Sequence, residues 1–97
     1  MPDFPGGYDA LAKFLEKTLK YPPTAINDNV EGMVITRFSI DRNGKVRNIK
    51  IVKGVRKDIN TECFRAISLM PRWSKTRYRI GDDNMIQFTL PIKFILK

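Results

Sequence analysis

The feature that most constrains the fold is the stretch at the end of the chain, from Met85 to Leu96. Large apolar residues occupy its even positions, and polar residues or proline occupy most of its odd positions. Alternation with a period of two is typical of a β-strand that buries one side and exposes the other. The apolar positions are Ile86, Phe88, Leu90, Ile92, Phe94 and Leu96. The rest of the chain must supply a core for this even side.

Pro91 places this strand at the border of a sheet. Proline has no N–H to donate to a neighbouring strand, so within sheets it is confined to edges and bulges. A long apolar strand with a free edge is exposed to pairing with other chains. We therefore expect an edge strand whose free side is either protected or functional.

Two segments show the helical spacing of apolar residues. The first runs from Tyr8 to Lys20 and stops before Pro22, because the residue that precedes a proline avoids helical conformation. The second follows Asp58, a suitable N-cap, and ends at Pro71. The expected buried positions are Tyr8, Leu11, Ala12, Leu15 and Leu19 in the first helix, and Ile59, Cys63, Ala66, Ile67 and Met70 in the second.

The segment between the two helices predicts a β-hairpin. An alternating strand opens at Gly32, Asn43-Gly44 supplies residues that tolerate a tight turn, and the return strand ends near Gly54. The apolar positions change parity within the return strand. This change predicts a bulge near Arg47–Asn48.

These elements predict a single α+β domain over residues 1–97, with the chain order α-β-β-α-β. A helix that links the second and third strands indicates that these two run parallel and leave a slot for the first strand, which is antiparallel to both. The prediction is a three-stranded antiparallel sheet in the order 2-1-3. Both helices are expected on one face, with the last strand at an edge.

The charge of the chain is strongly positive. It has 18 Lys and Arg against 10 Asp and Glu, and from Arg37 to Arg79 there are 13 basic and 3 acidic residues. Such a surplus favours polyanions, membrane surfaces or acidic protein partners, and does not choose among them. The basic segments 45–57 and 72–79 carry no nucleic-acid-binding motif, although Trp73 and Tyr78 could stack on bases, so we expect no nucleic-acid partner.

The single cysteine, Cys63, and the lack of histidine limit the chemistry. They exclude a disulfide within the chain, a Cys/His zinc site, and Ser/His or Cys/His catalysis. The acidic pair Asp82-Asp83 fits a turn. We therefore predict no enzyme, no catalytic residue, no metal site and no cofactor. Cys63 and Trp73 are expected to be core residues.

The last strand carries a specific binding hypothesis. If the first strand pairs with the even residues, the backbone groups of the odd residues face the free edge. An extended peptide could then pair around Gln87 and Thr89 and lose one hydrogen bond at Pro91. The alternative is an ordinary edge protected by Pro91 and Lys93. The candidate binding residues are Met85, Gln87, Thr89, Pro91 and Lys93.

An ordered series of short motifs also runs along nearly the whole chain. The motifs are Phe4-Pro5-Gly6-Gly7, Tyr21-Pro22 with Ala25, Gly32-x-Val34, Phe38, Asn43-Gly44, Val52-x-Gly54, Asp58-Ile59, Glu62-Cys63-Phe64-Arg65, Met70-Pro71-Arg72-Trp73 and Phe88-x-Leu90-Pro91-Ile92-x-Phe94. In this order and spacing, they resemble the C-terminal domain of TonB-type energy transducers, in the form common among Bacteroidetes.

The resemblance implies a periplasmic domain of a longer protein that is anchored in the inner membrane. Its anchor would couple to a proton-driven motor complex, and the domain would bind the TonB box of an outer-membrane TonB-dependent receptor by strand addition, for active import. The resemblance also allows an accessory or sensory domain of a membrane sensor or peptidase, which would bind a partner domain or the cell wall. A long free edge would further permit a homodimer by strand exchange.

Overall fold

The computed structural model describes residues 4–74 and 85–96. Its elements are α1 (Gly7–Thr18), α2 (Pro23–Asn27), β1 (Gly32–Ile40), β2 (Val46–Lys53), α3 (Lys57–Ser68) and β3 (Ile86–Phe94). The predicted order α-β-β-α-β is confirmed, with the short helix α2 as an addition. Most of the predicted basic loop, including Tyr78, and the turn at Asp82-Asp83 lie outside the described residues. No helix in the described ranges is long and apolar enough to cross a membrane.

The three strands form an antiparallel sheet in the order β2-β1-β3, as predicted. The β1–β3 register is continuous from the pair Gly32–Phe94 to the pair Ile40–Ile86. The β1–β2 register shifts near Phe38, where β2 inserts an extra residue. Asn48, at this shift, has a φ of 55°. The bulge predicted near Arg47–Asn48 is therefore confirmed.

The core lies on the sheet face formed by the even residues of β1 and β3. Leu11 of α1 and Ile59, Cys63 and Ile67 of α3 join those residues in one buried cluster. Trp73 closes this cluster: its ring centroid lies 4.9 Å from that of Phe88 and 5.8 Å from that of Phe38. The predictions that Cys63 and Trp73 belong to the core are confirmed.

The buried stripe of α1 differs from the predicted one. Tyr8 is 88% exposed and Ala12 is also exposed, whereas Leu11 is buried and is flanked by the partly buried Phe14 and Leu15. Successive helical residues are about 100° apart, so a stripe centred on Leu11 turns Ala12 away from the sheet. Tyr8 lies in the first turn of the helix, at the margin of this stripe.

Asp58 has another role than the predicted N-cap. The cap residue of α3 is Arg56, and Asp58 lies within the first helical turn. Its carboxylate accepts hydrogen bonds from Arg56 and, at 2.6 Å, from the hydroxyl of Thr24 on α2. Side-chain hydrogen bonds, first from Arg56 and then from Thr24, hold the pKa of Asp58 well below its ordinary value. The N-cap prediction was wrong because α3 begins at Lys57, before Asp58. The Asp58 carboxylate does accept one early helical N–H, that of Ile59, at 2.8 Å.

An ion pair on α3 fixes the end of α1. Arg65 donates to Glu62 at 2.7 Å and also to the Thr18 carbonyl oxygen at 2.8 Å. Glu62 in turn accepts a hydrogen bond from the Lys20 N–H at 2.7 Å. The pair thus satisfies backbone groups that a helix C-terminus and the turn after it leave open.

Candidate functional site

β3 has a free edge. It pairs with β1 along its whole length, and no other strand within residues 4–74 and 85–96 pairs with its second side. An unpaired strand edge presents a row of backbone donors and acceptors. This edge is therefore the candidate site that the sequence predicted.

Two hydrogen bonds indicate which residues face the free edge. The Thr36 hydroxyl donates to the Leu90 carbonyl oxygen at 2.7 Å, and the Leu96 N–H donates to Glu31, just before β1, at 3.2 Å. Backbone groups of these even residues thus point toward β1. The N–H and C=O of one residue point to the same side of an antiparallel strand. The groups of the odd residues therefore point away from β1.

Four of the five candidate residues form one exposed row. Gln87, Thr89, Pro91 and Lys93 are exposed and alternate with buried or half-buried neighbours. Pro91 contributes a carbonyl oxygen but no N–H, which divides the free edge into two parts. Met85, the fifth candidate, precedes β3 and is half-buried, and its sulfur lies 3.6 Å from the side-chain amide nitrogen of Asn48 on β2.

Aromatic contacts hold both ends of β3 in place. The Phe88 ring stacks near that of Phe38, with centroids 6.0 Å apart, while Tyr21 meets Phe94 edge-on at 5.3 Å. The Tyr21 hydroxyl donates to the Val30 carbonyl oxygen. Burial, and secondarily the charge of Glu31, raise the pKa of Tyr21. Contacts of the even residues with the core thus position β3, and these contacts do not involve its odd residues.

A shallow depression continues the edge beyond Pro91. Its volume is about 300 Å³, and it is lined by Glu31, Gly32, Met33, Lys93, Phe94 and Ile95. Met33 and Ile95 are half-exposed there, beside one acidic and one basic side chain. Sequence reasoning missed this feature because it joins the start of β1 to the end of β3. Only the β1–β3 register brings these residues together, and the sequence pattern does not determine that register.

Side-chain chemistry in the described part is sparse. No group of three potential metal ligands is present there. Cys63 is fully buried, and burial, with a smaller contribution from Glu62, raises the pKa of its thiol to about 12. Such a thiol is a poor nucleophile, because the thiolate is the reactive form. What the free edge can offer is backbone hydrogen bonding to an extended chain.

Comparison with known proteins gives the family. No curated protein matches the chain significantly. Two NMR solution structures of the Helicobacter pylori TonB C-terminal domain are similar. The longer has 25% identity and a TM-score of 0.67 over 89% of this chain and 77% of that one. The shorter has 23% identity and a TM-score of 0.63 over 88% of each, and shows the fold alone.

The strongest finding is the match to a family model. The model of the Gram-negative bacterial TonB protein C-terminal domain matches residues 17–96, which include α2, the whole sheet and α3. The chain therefore belongs to the family of Gram-negative bacterial TonB protein C-terminal domains.

Proposed function

We propose that this domain binds a short extended segment of an outer-membrane receptor, the TonB box, as an additional strand on the free edge of β3. The observation that carries the proposal is the row of outward backbone groups at Gln87, Thr89 and Lys93, on a strand whose other side is fully paired. Family membership supports it, since TonB C-terminal domains are periplasmic, transport-related and interact with TonB-dependent receptors.

The geometry favours pairing on the Gln87 side of the edge. Gln87 and Thr89 each offer an N–H and a C=O, whereas Pro91 offers only a C=O. A docked peptide therefore has full pairing before Pro91 and loses a bond there. Beyond Pro91, the depression next to Lys93 could take a side chain of the same peptide. Because paired strands are joined by several bonds, a pull along the strand is shared among them.

The parent protein follows from the same proposal. We infer an N-terminal membrane anchor and a link to an inner-membrane motor complex, neither of which belongs to the described residues. In this arrangement the domain transmits force from the inner membrane to the receptor during import. Membrane topology of the full-length protein tests this inference: one anchor supports a transducer, whereas several spans support a sensor.

The binding site is tested by a peptide titration with two variants at one position. Thr89→Pro removes an edge N–H that faces away from β1, so the sheet itself should stay intact. Thr89→Val changes the side chain but keeps the N–H. We expect Thr89→Pro to weaken binding of a receptor N-terminal peptide by roughly fivefold, from loss of one net hydrogen bond. Thr89→Val should bind like the unmodified domain.

NMR shifts in the same titration locate the peptide. Changes are expected at Gln87, Thr89 and Lys93 and at the depression. Shifts confined to the helices, or equal affinity of Thr89→Pro and Thr89→Val, would exclude the β3 edge as the site. A peptide whose backbone is N-methylated at alternate residues gives a second test, because only one of the two methylation patterns should abolish binding.

A further inference from the structure

The sheet face opposite the helices is a basic surface, and only Lys93 among its basic residues belongs to the candidate row of the β3 edge. Its side chains are the odd residues of β1 with their cross-strand partners on β2 and β3. Five of them are basic and exposed: Arg37, Arg47, Lys50, Lys53 and Lys93. We call these five residues the basic face. They come from all three strands.

Most residues of the basic face have no carboxylate partner within the described residues. Arg47 pairs with Asp41 at 2.8 Å. The other four basic residues, Arg37, Lys50, Lys53 and Lys93, form no ion pair or side-chain hydrogen bond within the part of the chain that the structure describes. Among the acidic residues that the structure describes, those near this face are Asp41 at one end and Glu31 at the other. Four of the other five acidic residues within 4–74 and 85–96 lie on α1 and α3: Asp9, Glu16, Asp58 and Glu62.

One pair on the basic face is unfavourable for the isolated domain. Arg37 on β1 lies directly opposite Lys50 on β2. Like charges in a direct cross-strand pair destabilise a sheet. Elsewhere in this domain, basic side chains such as Arg56 and Arg65 do have carboxylate partners. The repulsion between Arg37 and Lys50 would be relieved by an anionic partner that covers the face.

The shape of the face limits what that partner is. The cations are spread over three adjacent strands, about 5 Å apart, and not along a cleft. Lys50 and Lys53 are separated from the β3 edge by β1, so a peptide added to β3 does not reach them. Exposed apolar side chains, Met33 and Pro91 among them, lie between the cations. A sheet face that mixes exposed cations with apolar groups suits a lipid headgroup layer, which attracts basic residues and accepts apolar ones.

We propose that the basic face binds the surface of a bilayer that contains anionic phospholipids. The domain then lies with its sheet flat on the headgroups and its helices away from the membrane. The β3 edge points sideways in this orientation and stays accessible to a peptide. Membrane contact is therefore independent of strand addition, and each is tested without the other.

Sedimentation with vesicles tests this proposal. The probes are vesicles of phosphatidylcholine alone, and vesicles of equal parts phosphatidylcholine and phosphatidylglycerol. The domain should bind the second and not the first, and binding should weaken as salt screens the charges. The triple variant Arg37→Gln/Lys50→Gln/Lys53→Gln should lose roughly fivefold per cation, on the order of a hundredfold in total.

The control is a second triple variant, whose net charge equals that of the Arg37/Lys50/Lys53 variant. Lys13→Gln/Lys17→Gln/Lys57→Gln removes three exposed cations from α1 and α3, and should bind anionic vesicles like the unmodified domain. Equal losses in both triples would overturn the proposal, because net charge would then account for the binding. Unchanged binding of the Arg37/Lys50/Lys53 variant would also overturn it.

Poly-glutamate distinguishes a membrane from an acidic polypeptide as the partner of the basic face. If poly-glutamate binds as tightly as the anionic vesicles, the face is assigned to an acidic polypeptide and the membrane proposal is overturned. Markedly weaker binding of poly-glutamate supports the membrane proposal.

Thermal unfolding checks that the Arg37/Lys50/Lys53 variant is folded. Its melting temperature should be at least as high as that of the unmodified domain, because the Arg37–Lys50 repulsion is gone. Its affinity for the receptor peptide should be unchanged, so this proposal and the one for the β3 edge fail separately.

Discussion

The hydroxyl of Thr36 donates a hydrogen bond to the main-chain carbonyl oxygen of Leu90, at 2.7 Å across the β1–β3 junction. Thr36 is fully buried, so this is a polar contact inside an otherwise apolar layer. It holds the backbone of β3 with its even residues toward β1. The outward orientation of the Gln87 and Thr89 backbone groups, on which the proposed function depends, agrees with this contact and with the continuous β1–β3 register.

Replacing Thr36 by valine removes the bond while it keeps the shape of the side chain. We expect Thr36→Val to lower the free energy of unfolding by about 1 kcal/mol, the usual net value of such a bond. Urea unfolding followed by circular dichroism measures this. Thr89→Val is the matched control on the exposed row and should change stability by less than about 0.5 kcal/mol. Equal effects of the two substitutions would mean that the Thr36 bond does not stabilise the sheet.

A backbone N–H introduced at position 91 should lengthen the part of the β3 edge that can pair with a peptide. Pro91→Val supplies an outward N–H to a strand that already offers those of Gln87, Thr89 and Lys93. Peptide affinity should rise roughly fivefold, as expected for one added net hydrogen bond. The longer free edge should also promote self-association, since unbroken edges pair with one another.

Calorimetric titration and sedimentation velocity at several concentrations measure the two effects of Pro91→Val. Thr89→Val again serves as control, because it places a valine side chain in the same row without a new backbone donor. Weaker peptide binding by a monomeric Pro91→Val domain would show that the valine side chain blocks the edge. Dimerisation without peptide binding would favour a homodimer as the use of this edge.

Features that depend on local pattern were predictable from the sequence, whereas those that depend on tertiary partners were not. The alternation in 85–96 and the lack of an N–H at Pro91 are local properties, and they were sufficient to assign β3 to an edge. The parity change in β2 likewise indicated the bulge at Asn48. The role of Asp58 was missed, because α3 begins before it and because its carboxylate binds the hydroxyl of Thr24 on α2, a tertiary partner.

The hairpin turn should be intolerant of a side chain at Gly44. Gly44 has a φ of 85°, and a Cβ there would lie 2.0 Å from the Trp73 carbonyl oxygen. The Trp73 N–H also donates to the Gly44 carbonyl oxygen at 2.7 Å. Gly44→Ala should therefore destabilise the domain by at least about 2 kcal/mol, from backbone strain together with the clash.

The fluorescence of Trp73, the single tryptophan, reports on the turn directly. In Gly44→Ala it should shift to longer wavelength as the indole becomes more exposed. Asn43→Ala is the control, since Asn43 is an exposed neighbour whose φ is not positive. A Gly44→Ala domain with unchanged stability and fluorescence would show that the turn and Trp73 are not coupled.

The hydrogen bonds to Asp58 and Glu62 should make the free energy of unfolding depend on pH. Side-chain hydrogen bonds, mainly from Arg56 for Asp58 and from Arg65 for Glu62, hold the pKa values of both carboxyls below their ordinary range. A depressed pKa in the folded state contributes stability above the pKa of the unfolded chain, about 4 for these groups. That contribution is lost as the pH falls from about 5 through the unfolded values toward the lower folded ones.

Thermal unfolding between pH 7 and pH 3 measures this loss. Asp58→Asn should lower the melting temperature at pH 7, and its difference from the unmodified domain should shrink toward pH 3. Asp9→Asn is the control, because the exposed Asp9 has no ion pair within the described residues. A constant difference between Asp58→Asn and the unmodified domain at all pH values would show that the charge of Asp58 is not involved.

Cys63 should react with thiol reagents only when the domain opens. It is fully buried, and burial, with a smaller effect from Glu62, raises its pKa to about 12. At pH 8 the folded thiol is therefore both inaccessible and protonated, whereas in the unfolded chain its pKa is near 8.5. The raised pKa also implies that stability decreases as the pH rises above about 8.5. Labelling in denaturant should be fast and complete.

Gly44→Ala distinguishes global opening from local fraying of α3 at Cys63. If labelling requires unfolding of the whole domain, a loss of about 2 kcal/mol should accelerate it roughly 30-fold, because the open population rises by that factor. Local fraying of α3 would leave the rate unchanged, since Gly44 lies in the β1–β2 turn. Rapid labelling of the folded, unmodified domain would contradict burial of Cys63 in the cluster that supports β3.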